Sequence, residues 1–253
     1  MGMFRTLLLL GITWGMAGCA MSPESSNESI NLEKAAKLNV QLGLGYLNQG
    51  RYDLALRKLN KALDQGPDIS EVHNALAISY ERVAEYKLAG EHYRRAVKLD
   101  SGDSNALTNY GAFLCKRGDV DGAIEQFDRA LTNNFYENPE IAQTNAAICL
   151  QSKGKRDEAE KRLLSALRKN AGYPPALFEM GRVRLGQNEL RSAQAYLQRY
   201  LAVASHTPET LWLGIQIEQQ LGDKNSLASY KMLLKNKFPD SSQARWLLGA
   251  GQL

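Results

Sequence analysis

One spaced pattern recurs along this chain at a fixed interval. Its cleanest marker is Ala55, then Ala89, then Ala123, each 34 residues past the last. Around Ala55 stand Leu42, Gly43, Tyr46, Leu59, Ala62 and Pro67. Around Ala89 stand Leu76, Ala77, Tyr80, Tyr93 and Ala96, and around Ala123 stand Tyr110, Gly111, Leu114, Phe127 and Ala130. A period of this length defines one supersecondary unit that cannot bury its apolar face alone and must stack on copies of itself. Within each unit the apolar residues fall three or four apart, which is helical spacing. The small residues let two helices approach closely, and the larger ones fill the holes between them. No stretch of the chain asks for a strand.

Leu-Gly-x2-Tyr followed by Ala, an apolar or aromatic residue, and Ala, at a period of about 34, is the tetratricopeptide signature. The expected fold is all-α: a right-handed superhelix of about six tetratricopeptide helical hairpins over residues 32–253, closed by a C-terminal capping helix. In the first repeat (36–69) one helix is expected over 37–48 and a second over 52–65, stopped by Gly66-Pro67. The second repeat (70–103) opens with Ser70 as an expected N-cap, and the third spans 104–137. The marker of the fourth, Ala159, lies 36 past Ala123, so two residues are inserted within 134–139. Ala193, 34 past Ala159, restores the period in the fifth, where Arg184 replaces the usual aromatic. The sixth drifts: Leu213-Gly214 opens it, but Ala228 lies 14 past Gly214 rather than 12. A cap helix is expected over 241–248, with Trp246 and Leu247 packing back.

The N-terminus reads as an address rather than a fold. Arg5 precedes a short apolar run, Leu7 to Leu10, Gly11 and Ile12, then small residues before Cys19. The segment is shorter than the roughly 20 residues of a membrane span. Met16-Ala17-Gly18-Cys19 resembles a bacterial lipobox, in which the cysteine is acylated and becomes the new N-terminus; the alternative is an ordinary secretory signal. Ala20, rather than Asp, follows, which resembles an outer-membrane lipoprotein. Residues 1–18 are thus expected as a lipoprotein signal peptide and 19–31, rich in Ser, Asn and Glu, as a flexible lipidated tether.

The formal net charge of +4 becomes +3 without residues 1–18, and no Lys/Arg run concentrates it. That argues against nucleic acid as a partner. No catalytic constellation emerges. His73, His92 and His206 are scattered without a partner at i+4, so no metal site is expected. Gly43-Leu44-Gly45 lies mid-helix and follows no strand, so it is not a phosphate loop. No cofactor, no small-molecule substrate and no enzymatic activity are expected.

Cys115 and Cys149 lie 34 apart at similar depth on the first helices of successive repeats. In an exported protein a disulfide between them is expected; the alternative is two buried thiols acting as small apolar residues. Stacks of this kind present a concave surface lined by the first helix of each hairpin. Val40, Leu44, Leu47 and Ile78 are apolar at positions expected to face it, beside Asn74 and Arg82. Such a groove marks a partner surface, unless residues 32–38 cover it as an extension. Val40 and Leu44 replace the first two residues of the carboxylate clamp found in chaperone-docking repeats, which disfavours that role.

Residues 41–47 (Gln-Leu-Gly-Leu-Gly-Tyr-Leu), 109–115 (Asn-Tyr-Gly-Ala-Phe-Leu-Cys), 176–180 (Ala-Leu-Phe-Glu-Met) and 211–215 (Leu-Trp-Leu-Gly-Ile) resemble the PilF/PilW family of type IV pilus biogenesis lipoproteins. The resemblance spans the mature chain. It implies a pilotin, lipid-anchored at the inner leaflet of the outer membrane, that binds secretin subunits and promotes their localisation and multimerisation. The other outer-membrane role open to such a lipoprotein is an adaptor for peptidoglycan hydrolases, as in the NlpI family.

Overall fold

A computed structural model describes residues 23–249, with side chains from Ile30 onward. The described residues form thirteen helices and no strand. They pair as α1 (Pro23–Asn48) with α2 (Tyr52–Gln65), α3 (Ser70–Arg82) with α4 (Tyr86–Leu99), and α5 (Ser104–Lys116) with α6 (Val120–Leu131). Then come α7 (Pro139–Ser152) with α8 (Arg156–Lys169), α9 (Pro174–Gly186) with α10 (Leu190–Leu201), and α11 (Pro208–Leu221) with α12 (Lys224–Lys237). The single helix α13 (Ser242–Gly249) follows. The six hairpins stack into a tetratricopeptide superhelix.

The packing inside a hairpin follows from residue size. At Gly111 an added Cβ would lie 2.8 Å from the Phe127 ring, and at Gly214 it would lie 2.9 Å from Tyr230. The missing side chain is what admits the aromatic ring. The alanine markers Ala55, Ala89, Ala123, Ala159 and Ala193 are all fully buried. Their neighbours form continuous apolar clusters between successive repeats, such as Val97, Leu107, Phe127, Ala142 and Cys149.

The sharpest marker of the repeat is a backbone feature. In every hairpin the turn between its two helices passes through a left-handed residue: Gly50, Ala84, Gly118, Gly154, Asn188 and Gly222. The step is 34 throughout except for 36 between Gly118 and Gly154, so even the sixth repeat keeps its period here. Only Ala84 and Asn188 lack glycine's freedom. The left-handed conformation costs an alanine about 1–2 kcal/mol, which glycine escapes at some loss in chain entropy. Ala84 is exposed, so its methyl group adds little burial. Ala84→Gly is therefore expected to raise unfolding free energy by about 0.5–1 kcal/mol, read as an upward shift of the urea midpoint; a downward shift would contradict this.

Several expectations need correction. Residues 23–31, expected as flexible coil, belong to α1. Extending an anchored helix avoids the cost of a new nucleus, so weak helix formers are carried along. Residues 32–38 lie along the same helix and do not fold back as a cover: Leu32 and Leu38 are themselves 44% and 57% exposed. Ser70 is not an N-cap but the first residue of α3, and its Oγ donates to the Ala96 carbonyl at 3.1 Å. Ser104 repeats that bond to Ala130, also at 3.1 Å. The Ser104 hydroxyl serves a carbonyl that the end of α6 leaves without a backbone donor, whereas the Ala96 carbonyl also accepts from the Asp100 amide at 3.0 Å. Ala228 is exposed and is not the sixth marker; Ser226, 12 past Gly214, holds that place, half-buried. Trp246 remains 55% exposed and meets Trp212 edge to face at 5.8 Å, while Ala244 is the buried anchor of α13. Arg184, at the aromatic slot, pairs with Glu160 and with Glu189.

Cys115 of α5 and Cys149 of α7 are joined by a disulfide with Cα atoms 5.7 Å apart. It ties the first helices of repeats three and four across the inserted segment, residues 132–138, which joins α6 to α7. The signal peptide and Cys19 lie outside the described residues.

Candidate partner-binding groove

The concave side of the first three repeats carries an open cavity of about 990 Å³, lined by α1, α3, the start of α5 and the segments that precede α3, α5 and α7. Its apolar lining includes Val40 and Leu44 from α1, Ala75 and Ile78 from α3, and Phe135 and Tyr136 from the inserted segment. Of the six expected groove residues, Val40, Leu44, Asn74 and Ile78 meet in this cavity. Leu47 and Arg82 do not line it; they lie one turn or more further along α1 and α3. Val40 and Leu47 were expected as open apolar surface, yet they are only 6% and 9% exposed. Each first helix packs against its own partner and against the next first helix, so part of the expected groove is core. Val40 accordingly joins the cluster of Ala36, Leu59, Val72 and Leu76. Leu44 and Ile78 stay half-buried and supply the accessible apolar floor.

Polar contacts hold the walls in place. Asn109 Nδ2 donates to Asn74 Oδ1 at 3.2 Å, linking α5 to α3 across the floor. Asp103 caps α5, its Oδ1 accepting from the amides of Asn105 and Ala106 at 2.9 and 3.0 Å. Lys37 Nζ lies 2.7 Å from Glu33 Oε1, which lowers the carboxyl pKa and raises that of the ammonium. The inserted segment is pinned at two points. Asn133 Nδ2 donates to Ser104 Oγ, and the Tyr136 hydroxyl lies 3.1 Å from Thr108 Oγ1. Between them Phe135 is left 91% exposed at the groove's edge. This wall was missed in the sequence, although the 36-residue step and adjacent Phe135-Tyr136 were its signal.

The histidines show a second miss. His73 and His92, 19 apart, face each other with Nδ1 atoms 2.9 Å apart, and His73 Nε2 lies 2.9 Å from the Pro67 carbonyl oxygen. A carbonyl only accepts, so His73 carries its proton on Nε2 and its Nδ1 accepts from His92. Burial lowers the pKa of both rings, with Arg95 adding to the effect on His73 and His73 adding to it on His92. The Pro67 carbonyl and then Asp68 oppose the shift at His73, Glu91 opposes it at His92, and Tyr80 stacks on His92. Because the folded pKa values lie below the unfolded ones, the unfolded chain binds more protons in that window. Stability is thus full above the ordinary histidine pKa of about 6.5 and declines as pH falls below it. Urea midpoints from neutral to mildly acidic pH are expected to fall more for the native chain than for His92→Gln. Parallel slopes would contradict the pairing.

Among the described residues no group of three or more His, Cys, Asp or Glu side chains is placed to hold a metal, and no helix is long and apolar enough to cross a membrane.

The chain matches the tetratricopeptide repeat family over residues 40–104 and 74–139. It is 30% identical to the type IV pilus assembly protein PilF of Pseudomonas aeruginosa over 240 residues, covering 94% of this chain and 95% of that one. The solved structure of P. aeruginosa PilF superposes with a TM-score of 0.77 at 28% identity, covering 87% of this chain and 99% of that one. The crystal structure of PilW, a type IV pilus biogenesis factor, gives 0.77 at 27% identity, with 84% and 98% coverage.

Proposed function

The chain belongs to the PilF/PilW family of type IV pilus biogenesis proteins, and from that premise we propose that it acts as a pilotin. In this reading it is a non-enzymatic scaffold that binds subunits of the outer-membrane secretin and promotes their localisation and multimerisation. Acylated Cys19 supplies the membrane address, each buried CH2 contributing about 0.8 kcal/mol. The superhelix supplies the grip.

The observation that carries this reading is the open cavity on repeats one to three, with Leu44 and Ile78 on its floor. Partner surfaces of repeat stacks are concave, and accessible apolar side chains there mark a docking site. Repeat one is also the repeat nearest Cys19 in sequence, so a partner held there is held close to the membrane.

The test is to remove the protein from its host and follow the secretin. Loss of secretin multimers is expected; multimers at native abundance would contradict the proposal. Envelope pull-downs give the complementary result. Secretin is expected among the captured proteins, whereas peptidoglycan hydrolases in its place would reassign the chain as their adaptor. Two variants tie the role to residues. Leu44→Asp and Ile78→Asp place a charge on a half-buried floor, so both are expected to weaken secretin capture while leaving the helical circular dichroism unchanged. Cys19→Ser is expected to fold normally and to leave the outer-membrane fraction; retention there would contradict the anchor.

A further inference from the structure

The charge of the groove is opposite to that of the chain. The sequence as a whole is +4, yet the cavity is lined by Glu33, Asp68, Glu71, Asp100, Asp103 and Glu137 against a single lysine, Lys37. Two of the six carboxylates are neutralised locally: Glu33 by Lys37, and Asp68 by Arg95 from outside the cavity. Asp103 serves α5 as its N-cap, and Asp100 accepts from the amide of Gly102 at 2.9 Å. Those bonds account for their positions but leave their charge. Among the described residues neither Glu71 nor Glu137 forms a salt bridge, and both are exposed; Lys37, bridged to Glu33, feels Glu71 only through space. The amino ends of α3 and α5 offset part of this field. Even so, several carboxylates on one concave wall focus a negative potential that a flat surface would disperse.

The same cavity offers apolar contact at Leu44, Ile78 and Phe135. From this pairing we propose that the groove takes a peptide segment carrying lysine or arginine on either side of an apolar side chain. The apolar side chain settles on Leu44 and Ile78 under the ring of Phe135. The basic side chains meet Glu71 on α3 and Glu137 on the inserted segment. An acidic segment is repelled by the same wall, so the groove selects by charge as well as by shape. This rests on the groove assignment made above, and it adds the chemistry of the bound segment.

The test uses the purified full chain and a random-peptide display library. Selected peptides are expected to be rich in Lys and Arg beside Leu, Ile or Phe. They are expected to bind Glu71→Gln/Glu137→Gln about tenfold more weakly than the native chain, and to bind weakly to both at about 0.5 M salt, where the Debye length shrinks to a few ångströms. Leu44→Asp is expected to abolish their binding. Neutral or acidic selected peptides, no enrichment, or equal binding to the double variant would overturn the proposal. Secretin capture from envelope extracts is read separately. Capture that is insensitive to the double variant removes the charge rule and keeps the pilotin. Basic, apolar peptides selected by a chain that captures no secretin keep the charge rule and remove the pilotin.

Discussion

Phe127→Ala is expected to lower the stability of the repeat stack by about 3–5 kcal/mol. Phe127 is fully buried, and its ring fills the space that Gly111 leaves on α5. It lies in one apolar cluster with Leu107, Ala123 and Tyr136. Truncation removes the ring's burial and opens a cavity that two packed helices cannot collapse, since Gly111 brings no side chain to fill it. The loss also reaches the groove, because α5 and Tyr136 form its wall. Urea unfolding followed by circular dichroism measures the effect. Phe135→Ala is the internal comparison: eight residues along, that ring is 91% exposed and its removal is expected to change stability by less than about 0.5 kcal/mol. Similar losses in the two variants would contradict the packing described.

Removing the disulfide is expected to cost about 3–4 kcal/mol, the loop-closure entropy returned to an unfolded chain freed of a cross-link spanning 34 residues. Under two-state unfolding this lowers Tm by about 10 °C for a chain of this size. Cys115→Ser/Cys149→Ser and the reduced native chain are expected to unfold at similar temperatures, both well below the oxidised protein. Calorimetry reads the shift, and thiol alkylation of the denatured, unreduced chain reads the bond. Two adducts per chain would contradict it, as would an unchanged Tm. The bond bridges repeats three and four where the 36-residue step interrupts the period, so its loss is expected to loosen the inserted segment and with it Phe135.

The hairpins were legible because each needs a small residue, a large one and a stop at fixed intervals. The second helix of repeat one was read to the residue, Tyr52–Gln65. Composition misled where it was used without context: Ser, Asn and Glu favour coil in isolation, but residues 23–31 continue a helix already held by packing. Local spacing also misled in the sixth repeat. Ala228 matched by type, while the left-handed turn at Gly222 kept the true register. The groove was half legible. Helical position placed Val40, Leu44, Asn74 and Ile78 on the concave side, but their depth depends on how closely neighbouring first helices approach. The carboxylate wall and the His73–His92 contact join residues from different helices and loops, so they become visible only once the antiparallel hairpins are folded.

The central claim is that the concave face of the first three repeats is where the partner docks. Site-specific photo-crosslinking in the envelope of the native host tests it most directly. A photoreactive residue at Lys37 or Phe135, both on the groove, is compared with one at Met232, an exposed position on α12 far along the stack. Secretin adducts from Lys37 and Phe135 and none from Met232 are the expected result. Secretin adducts from Met232 alone would contradict the claim and move the docking site to the C-terminal repeats.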